Sequence, residues 1–151
     1  MSRIEHAQFI SFEDMQLISG HWFGVQPLHK KDDDSIAPKA VGTTRSSTLH
    51  NWRGMLDAGA KLSFGSDWPI APHTPINAIA AAIKHGLTPK EALVATTSDS
   101  ADSLREPRAG RLVVGSFADA TLLDCNPLTL DWQAKTPVVT MTIVQGTIQF
   151  Q

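Results

Sequence analysis

Histidine and aspartate side chains lie at or just beyond the ends of three predicted strands of this chain. His6 belongs to the first strand, His29 follows the second and Asp67 follows the third. In a parallel α/β barrel the carboxyl ends of the strands meet on one face, so these side chains are expected to converge. A histidine and an aspartate brought together can bind a divalent metal, which lowers the pKa of a bound water. The aspartate can then take the proton of that water and pass it to a leaving group.

The same residues also have ordinary explanations. His6 can be a plain strand histidine, and an aspartate after a strand is often a helix N-cap or a turn residue. Two ligands do not complete a catalytic zinc site, which has three protein ligands and a water. On residue types alone, both explanations stay open.

Alternating strands and helices are predicted to position these side chains. Buried or strand-like runs are expected over Arg3–Ile10, Trp22–Pro27 and Lys61–Gly65. Helices are expected from Ser11 to Gly20, over Leu49–Ala58, over Pro75–His85 and after Thr88. The last of these has the strongest signal, because Thr88-Pro89-Lys90-Glu91 combines an N-cap, a first-turn proline and a capping-box glutamate. The polar stretch Lys30–Ser47, with Asp32-Asp33-Asp34, is interpreted as a functional or mobile loop.

The pattern changes to β-structure after Arg108. Short apolar or β-branched runs are separated by glycine, proline and asparagine, and they cover Arg111–Val114, Ala118–Cys125 and Val138–Val144. Gln145-Gly146 is predicted to be a two-residue hairpin turn. We therefore predict an α/β unit over residues 1–108 and a small separate sheet over residues 109–151.

Composition narrows the range of partners. A net charge of −2 over 151 residues gives no general attraction to nucleic acid or to an anionic membrane. No apolar run approaches the roughly 20 residues that cross a bilayer, and the N-terminus has no apolar signal core. The single cysteine, Cys125, excludes an internal disulfide and fits a reducing compartment. We expect a cytoplasmic protein.

Several linked sequence blocks resemble one enzyme family. In order and spacing they are Arg3-Ile4-Glu5-His6-Ala7-Gln8, Val25-Gln26-Pro27, Leu56-Asp57-Ala58-Gly59-Ala60, Gly65-Ser66-Asp67-Trp68-Pro69, Gly110-Arg111-Leu112-Val113-Val114-Gly115 and Ala118-Asp119-Ala120-Thr121-Leu122-Leu123-Asp124. Together they resemble the C-terminal part of the amidohydrolase superfamily, family 3 type, which includes N-substituted formamide deformylase-like enzymes. The resemblance spans nearly the whole chain.

The resemblance implies a fold and a chemistry. The fold is α/β: about the last three strands of a (β/α)8 barrel, followed by part of a small β-sandwich. The chemistry is hydrolysis of non-peptide carbon–nitrogen bonds by water activated at a divalent metal, zinc first, with manganese or iron as alternatives. His6 and Asp67 fall at metal-ligand positions, with Asp67 also as the catalytic proton carrier. His29, Trp68 and His73 fall near the small amide-type substrate.

The family's remaining ligands have no counterpart in this sequence. A His-x-His pair on the first barrel strand, a bridging ligand and a further histidine are all missing, so His6 is the one recognisable co-ligand of Asp67. Two hypotheses follow: a metal-dependent hydrolase, or a catalytically incompetent remnant or half of a split enzyme. The second expects a missing N-terminal half as a partner, or self-association through an unpaired strand edge.

Overall fold

Three parallel strands form the sheet that carries the candidate site. The structure, a computed structural model, describes residues 2–151. The strands are β1 (Arg3–Glu5), β2 (Trp22–Val25) and β3 (Lys61–Phe64), in the order β1-β2-β3. Parallel strands need crossover connections, and here helical segments supply them. The fold of this part is α/β, as predicted.

The central strand β2 is buried along its whole length. Phe23 and Val25 of β2 and Leu62 of β3 are at most 2% exposed, and they belong to one core with Trp52 and Met55. A strand covered on both faces needs no polar alternation, which explains the continuous apolar run that marks β2 in the sequence. The core holds the carboxyl ends of the strands in fixed positions.

Within residues 2–151, five α-helices accompany the two sheets. They are α1 (Lys30–Ser46), α2 (Trp52–Asp57), α3 (Pro75–Lys84), α4 (Pro89–Thr96) and α5 (Ser98–Ser103). The predictions for α3 and α4 are confirmed, including the reciprocal Thr88–Glu91 capping box. The helix predicted over Leu49–Ala58 forms only from Trp52, because Asn51 caps it by accepting a hydrogen bond from the Gly54 amide. None of the described helices combines the length and hydropathy needed to cross a bilayer.

The prediction of a loop over Lys30–Ser47 is wrong, since these residues form α1. The helix is broken at Gly42, where φ 80° and ψ 161° lie outside the helical region. Only Ala37 is buried, so the segment has almost no apolar face to reveal a helix in the sequence. The Lys30–Asp34 ion pair, four residues apart, supports its first turn instead.

The strand predicted over Arg3–Ile10 is shorter than expected and ends at Glu5. His6 and Ala7 have positive φ, which breaks the extended backbone directly after the strand. The helix predicted from Ser11 to Gly20 is only a 3-10 turn over Asp14–Leu17. The Ser11 hydroxyl accepts a hydrogen bond from the Asp14 amide, as a helix N-cap does, but none of this turn is buried, so no packing extends it.

A second, antiparallel sheet forms the C-terminal part. Its strands are β4 (Ala120–Leu123), β5 (Val139–Val144) and β6 (Thr147–Phe150), in that order. The predicted hairpin at Gln145-Gly146 joins β5 to β6. The strand predicted over Arg111–Val114 does not form, because within the described chain this segment pairs with no strand and Leu112 to Val114 stay exposed.

Candidate metal centre

Three chain segments deliver one side chain each to the carboxyl end of the parallel sheet. His6 comes directly after β1, and His29 ends a 3-10 turn (Pro27–His29) that follows β2. Asp67 lies three residues beyond the end of β3. Because the strands are parallel and adjacent, their carboxyl ends share one edge, and the three residues meet there.

The three side chains are close enough to share one ion. One ligand atom from each of His6, His29 and Asp67 lies within 4.8 Å of the others. His6 Nε2 is 4.0 Å from Asp67 Oδ2, and these two side chains are 45% and 42% exposed. The His6 and His29 rings are stacked, with centroids 6.2 Å apart and an interplanar angle of 23°. The cluster is therefore open to solvent on one side.

A buried nitrogen without a partner tests whether these residues fit a metal. His29 Nε2 is shielded from solvent and makes no hydrogen bond within residues 2–151. A buried polar atom in this state costs free energy unless something satisfies it. Two imidazoles and a carboxylate are the donor types that divalent zinc accepts. The residues present therefore fit a divalent cation.

An unusual backbone conformation sets the direction of two of these side chains. His6 has φ 67° and Asp67 has φ 55°, both in the left-handed region that residues other than glycine rarely adopt. The His6 amide donates to the Gly24 carbonyl over 2.7 Å, which continues the β1–β2 ladder by one bond before the chain turns. The chain thus changes direction sharply at His6, directly after β1, and at Asp67, three residues beyond β3.

A polar network lies behind the cluster. The Asp33 carboxylate on α1 accepts hydrogen bonds from Gln8 Nε2 and from His50 Nε2, the latter over 2.8 Å. The backbone of this region is joined as well, because the His50 amide donates to the Gln8 carbonyl over 2.8 Å. Burial lowers the pKa of His50, although Asp33 opposes that shift. The network ties the segment after His6 to the helix that begins after His29.

Two cavities flank the sheet edge. One, of about 320 Å³, is lined by His29, by Lys31 to Asp33 on α1 and by part of the segment from Ile70 to Asn77. The other, of about 220 Å³, is more apolar and is lined by Ser66, His73 and Ser100 among others. Both cavities are large enough for a small organic group. Residues of the cluster, or residues next to it in the chain, form part of their walls.

The five site residues predicted from the sequence fall into two groups of neighbouring side chains. His6 and Asp67 lie close together, and His29 lies with them, one ligand atom of each being within 4.8 Å of the others. Trp68 and His73 contact each other, with ring centroids 4.9 Å apart and an interplanar angle of 89°. Trp68 is 64% exposed, so most of its surface is open to a ligand or a partner.

Sequence reasoning missed the Asp33–His50 pair. Asp33 lies in the stretch that the sequence predicts to be a functional or mobile loop, and His50 is 4% exposed after a stretch with no strong pattern. The pairing joins residues 17 positions apart on different elements, so no spacing rule reveals it. The one usable signal was that a histidine in an apolar context needs a polar partner.

Two histidines and an aspartate at the carboxyl edge of a parallel sheet form a donor set that fits a divalent metal. The family model described as the amidohydrolase family matches residues 1–150. The chain belongs to the amidohydrolase family, a family of hydrolases.

Curated relatives agree with this assignment. The protein Long After Far-Red 3 of Arabidopsis thaliana is 30% identical over 145 residues, which covers 82% of this chain and 24% of that protein. Imidazolonepropionase of Anaeromyxobacter sp. strain K is 32% identical over 104 residues, covering 66% of this chain and 25% of that enzyme. This chain thus spans about a quarter of the length of the curated relatives it matches.

Solved structures share the fold. A metal-dependent hydrolase of Pyrococcus furiosus has a TM-score of 0.75 and 28% identity, over 85% of this chain and 29% of that one. A metal-dependent hydrolase of Pyrococcus horikoshii has a TM-score of 0.77 and 26% identity, over 87% of this chain and 30% of that one. The α/β arrangement around the sheet edge is therefore one that solved hydrolases contain.

Proposed function

We propose that this chain is part of a metal-dependent hydrolase of non-peptide carbon–nitrogen bonds, with His6 and Asp67 as metal ligands. The observation that carries the proposal is the approach of His6 Nε2 to Asp67 Oδ2, 4.0 Å apart at the carboxyl edge of the sheet. His6 directly follows β1 and Asp67 lies three residues beyond β3, so both atoms are positioned close to the carboxyl ends of the strands. Membership of the amidohydrolase family supports the reaction class.

The cofactor in this proposal is one divalent metal ion, with zinc as first choice and manganese or iron as alternatives. Nitrogen and carboxylate donors suit all three metals, and two histidines with one carboxylate recur in catalytic zinc sites. When bound, the ion supplies Lewis-acid activation of water and of the substrate carbonyl. Both Pyrococcus neighbours are named metal-dependent hydrolases, which supports a metal here.

Asp67 is the proton carrier of the proposed reaction. Its carboxylate takes a proton from the attacking water, and the same oxygen then delivers that proton to the departing nitrogen. Water adds to the carbonyl carbon first, and the carbon–nitrogen bond breaks once the nitrogen has received the proton, so one water is consumed and an acid and an amine are formed, both on one molecule when the substrate is a cyclic amide. Asp67 is 42% exposed at its side chain, which leaves room for a substrate beside it.

The substrate in this proposal is a small amide-type molecule held by the segment after Asp67. Trp68 offers an exposed ring, and His73 lines the 220 Å³ cavity. The family 3 resemblance favours an N-substituted formamide, whereas the curated relatives include imidazolonepropionase. A formamide or a cyclic amide both fit the proposed chemistry, because each presents one carbonyl beside a nitrogen.

The architecture proposed for the intact site is a (β/α)8 barrel of which β1 to β3 are the last three strands. Residues 1–108 would belong to the barrel and residues 109–151 to a small β-sandwich. The parallel order β1-β2-β3 with intervening helices supports the first assignment. The separate antiparallel sheet β4-β5-β6 supports the second.

Replacement of the proton carrier tests the reaction. The chain, supplied with zinc or manganese, is assayed against N-formylated and cyclic amides, and Asp67→Asn is compared with Asp57→Asn. Loss of a general acid–base group is expected to lower kcat/KM by about 10²- to 10⁴-fold. Asp57 is exposed on α2 and pairs with Arg53, so its variant should keep the activity of the starting chain. If the starting chain turns the substrate over, equal turnover by the two variants would exclude the proposed role of Asp67.

A second proposal is that the chain has no turnover alone and contributes its site to a larger assembly. The observation that favours it is that β1 and β3 are both edge strands, each with one strand neighbour among residues 2–151. An open edge is a template for another strand, from an N-terminal half or from a second copy. Activity that appears only when an N-terminal amidohydrolase fragment is added would support this proposal, and full activity of the isolated chain would exclude it.

A further inference from the structure

We infer that His29 is the third metal ligand, so that this chain holds a complete single-metal site in its own residues. The inference rests on the proposed function, because it uses His6 and Asp67 as the other two ligands. It replaces the substrate contact that the sequence predicts for His29. It also removes the need for donors from other barrel strands to bind one ion.

Distance is the first support. The donor atoms of His6, His29 and Asp67 lie within 4.8 Å of one another, so one ion placed between them needs only small side-chain movements. Catalytic zinc is held by three protein ligands and keeps a fourth position for water. Two imidazoles and one carboxylate from this chain supply that number.

The unpartnered nitrogen is the second, independent support. His29 Nε2 is buried and has no hydrogen-bond partner within the described chain. A substrate-binding or structural histidine would place this nitrogen beside a polar group or in water. Here it is shielded and has no such partner, so coordination of a metal ion by this nitrogen would satisfy it.

The local backbone is the third support. His29 closes the 3-10 turn after β2, where its own amide donates to the Gln26 carbonyl over 3.1 Å, and it directly precedes α1. Pro27 in the same turn is fully buried, which fixes the start of the turn against the core. His29 is therefore held by two regular elements, as a ligand must be to keep its donor atom in place.

The other titratable side chains nearby already have hydrogen-bond or ion-pair partners within the protein. The Asp33 carboxylate is used by Gln8 and His50, and Asp34 is paired with Lys30. In the described chain, the trio of His6, His29 and Asp67 is the one group of histidine, cysteine or acidic side chains close enough to hold an ion. The geometry thus selects these three side chains.

Zinc binding to the whole 151-residue chain tests the inference. Zinc chloride is titrated against a chromophoric chelator, and native mass spectrometry counts the ions per chain. The variants are His29→Ala, His29→Gln, His6→Ala and Asp67→Asn. The matched control is His21→Ala, which removes an exposed histidine at the opposite, amino end of β2. We expect one zinc per chain and a loss of affinity of more than a hundredfold in both His29 variants, since even outer-shell partners are worth about 10- to 100-fold.

A spectroscopic measurement keeps the test valid if a variant fails to fold. In the unmodified chain labelled with ¹⁵N, zinc should shift the ring nitrogens of His6 and His29 and leave those of His21 unchanged.

The outcomes separate the inference from the proposed function. If His29→Ala and His29→Gln bind zinc as tightly as the starting chain while His6→Ala and Asp67→Asn do not, the inference is wrong and the proposed site stands. If zinc fails to bind, or if none of the four variants changes its affinity, both are wrong. One zinc shared by two chains would overturn the claim that the site is complete within one chain.

Discussion

His50 has two ring nitrogens in unequal surroundings. Nε2 faces the Asp33 carboxylate at 2.8 Å, whereas Nδ1 is buried without a hydrogen-bond partner in the part of the chain that the structure describes. The neutral ring that donates through Nε2 satisfies Asp33 and leaves only an acceptor unpaired. Protonation would add a buried N–H with no acceptor, so both geometry and burial keep the ring neutral.

Because the buried His50 ring is kept neutral in the folded state, the stability of the chain depends on pH. Burial lowers the pKa of His50 in the folded state from its usual 6.5, so the unfolded chain takes up more protons and stability is lost as the pH falls below that value. Burial lowers the pKa of His85 in the same sense. We expect His50→Gln, which keeps an N–H for Asp33, to flatten the change in unfolding free energy between about pH 7 and pH 5.

Urea unfolding across this pH range measures the effect. His21→Gln, at an exposed ring that contacts Ser2, serves as the control and should leave the slope unchanged. An identical slope in His50→Gln and the starting chain would contradict the assignment of His50 as a buried neutral histidine.

The residues of the site differ in how well the sequence reveals them. His6 and Asp67 lie at or just beyond predicted strand ends. A local pattern and the geometry of parallel sheets therefore predict, from the sequence alone, that their side chains lie close together, as they do. The closeness of His29 depends on the short turn Pro27–His29, whose direction no spacing rule gives. Asp33 and His50 meet through the packing of α1 on the segment before α2, which only the folded chain defines.

Helices α3 and α4 begin in the same way in the sequence but not in the structure. Each has a threonine before a proline at the first turn, Thr74 for α3 and Thr88 for α4. Thr88 accepts a hydrogen bond from the Glu91 amide over 3.2 Å, whereas the Thr74 side chain makes no capping bond. Glu91 explains the difference, because its carboxylate also accepts from the Thr88 amide and from Arg53.

Two threonine variants test whether this difference in capping affects the free energy of unfolding. Thr88→Ala removes the side-chain cap of α4 and is expected to lower the free energy of unfolding by about 1 kcal/mol. Thr74→Ala removes a threonine at the equivalent position with no capping bond to lose, so it should cost clearly less. Chemical denaturation at neutral pH compares them, and equal losses would show that the capping box has no stabilising role of its own.

The helices that the sequence predicts correctly are the ones marked by local sequence signals. The Thr88 capping box and the alanine-rich apolar pattern of α3 are both local, and both helices form where predicted. Helix α1 carries neither signal, since its surface is polar and it contains Pro38 and Gly42. An ion pair and long-range contacts of Asp33 hold it, and these are visible only after folding.

The whole molecule exposes more apolar surface on its second sheet than on its first. Leu122, Val144, Ile148 and Phe150 are between 43% and 54% exposed, and all lie on β4, β5 or β6. Large exposed apolar surfaces commonly mark contacts with another chain. Together with the open edges of β1 and β3, these exposed apolar side chains on the two faces of the second sheet make association an expected property of the chain.

Light scattering coupled to size exclusion can test this expectation. We expect the chain to shift from monomer toward dimer or larger species as its concentration rises through the micromolar range. Ile148→Lys places a charge on the exposed sheet and should shift the equilibrium back toward monomer, whereas Thr140→Lys, at an exposed polar position on β5, should do so less. A strictly monomeric chain at every concentration would contradict the expectation.

The left-handed backbone at His6 and Asp67 limits which residues these positions tolerate. A non-glycine residue in this region carries a cost of roughly 1–3 kcal/mol, and a β-branched residue would fit worst. Glycine would relieve that strain at both positions but would remove both donor atoms. A sequence chosen for thermal stability alone would therefore differ from this one at the two proposed metal ligands, so stability and the proposed function make opposing demands on the same backbone.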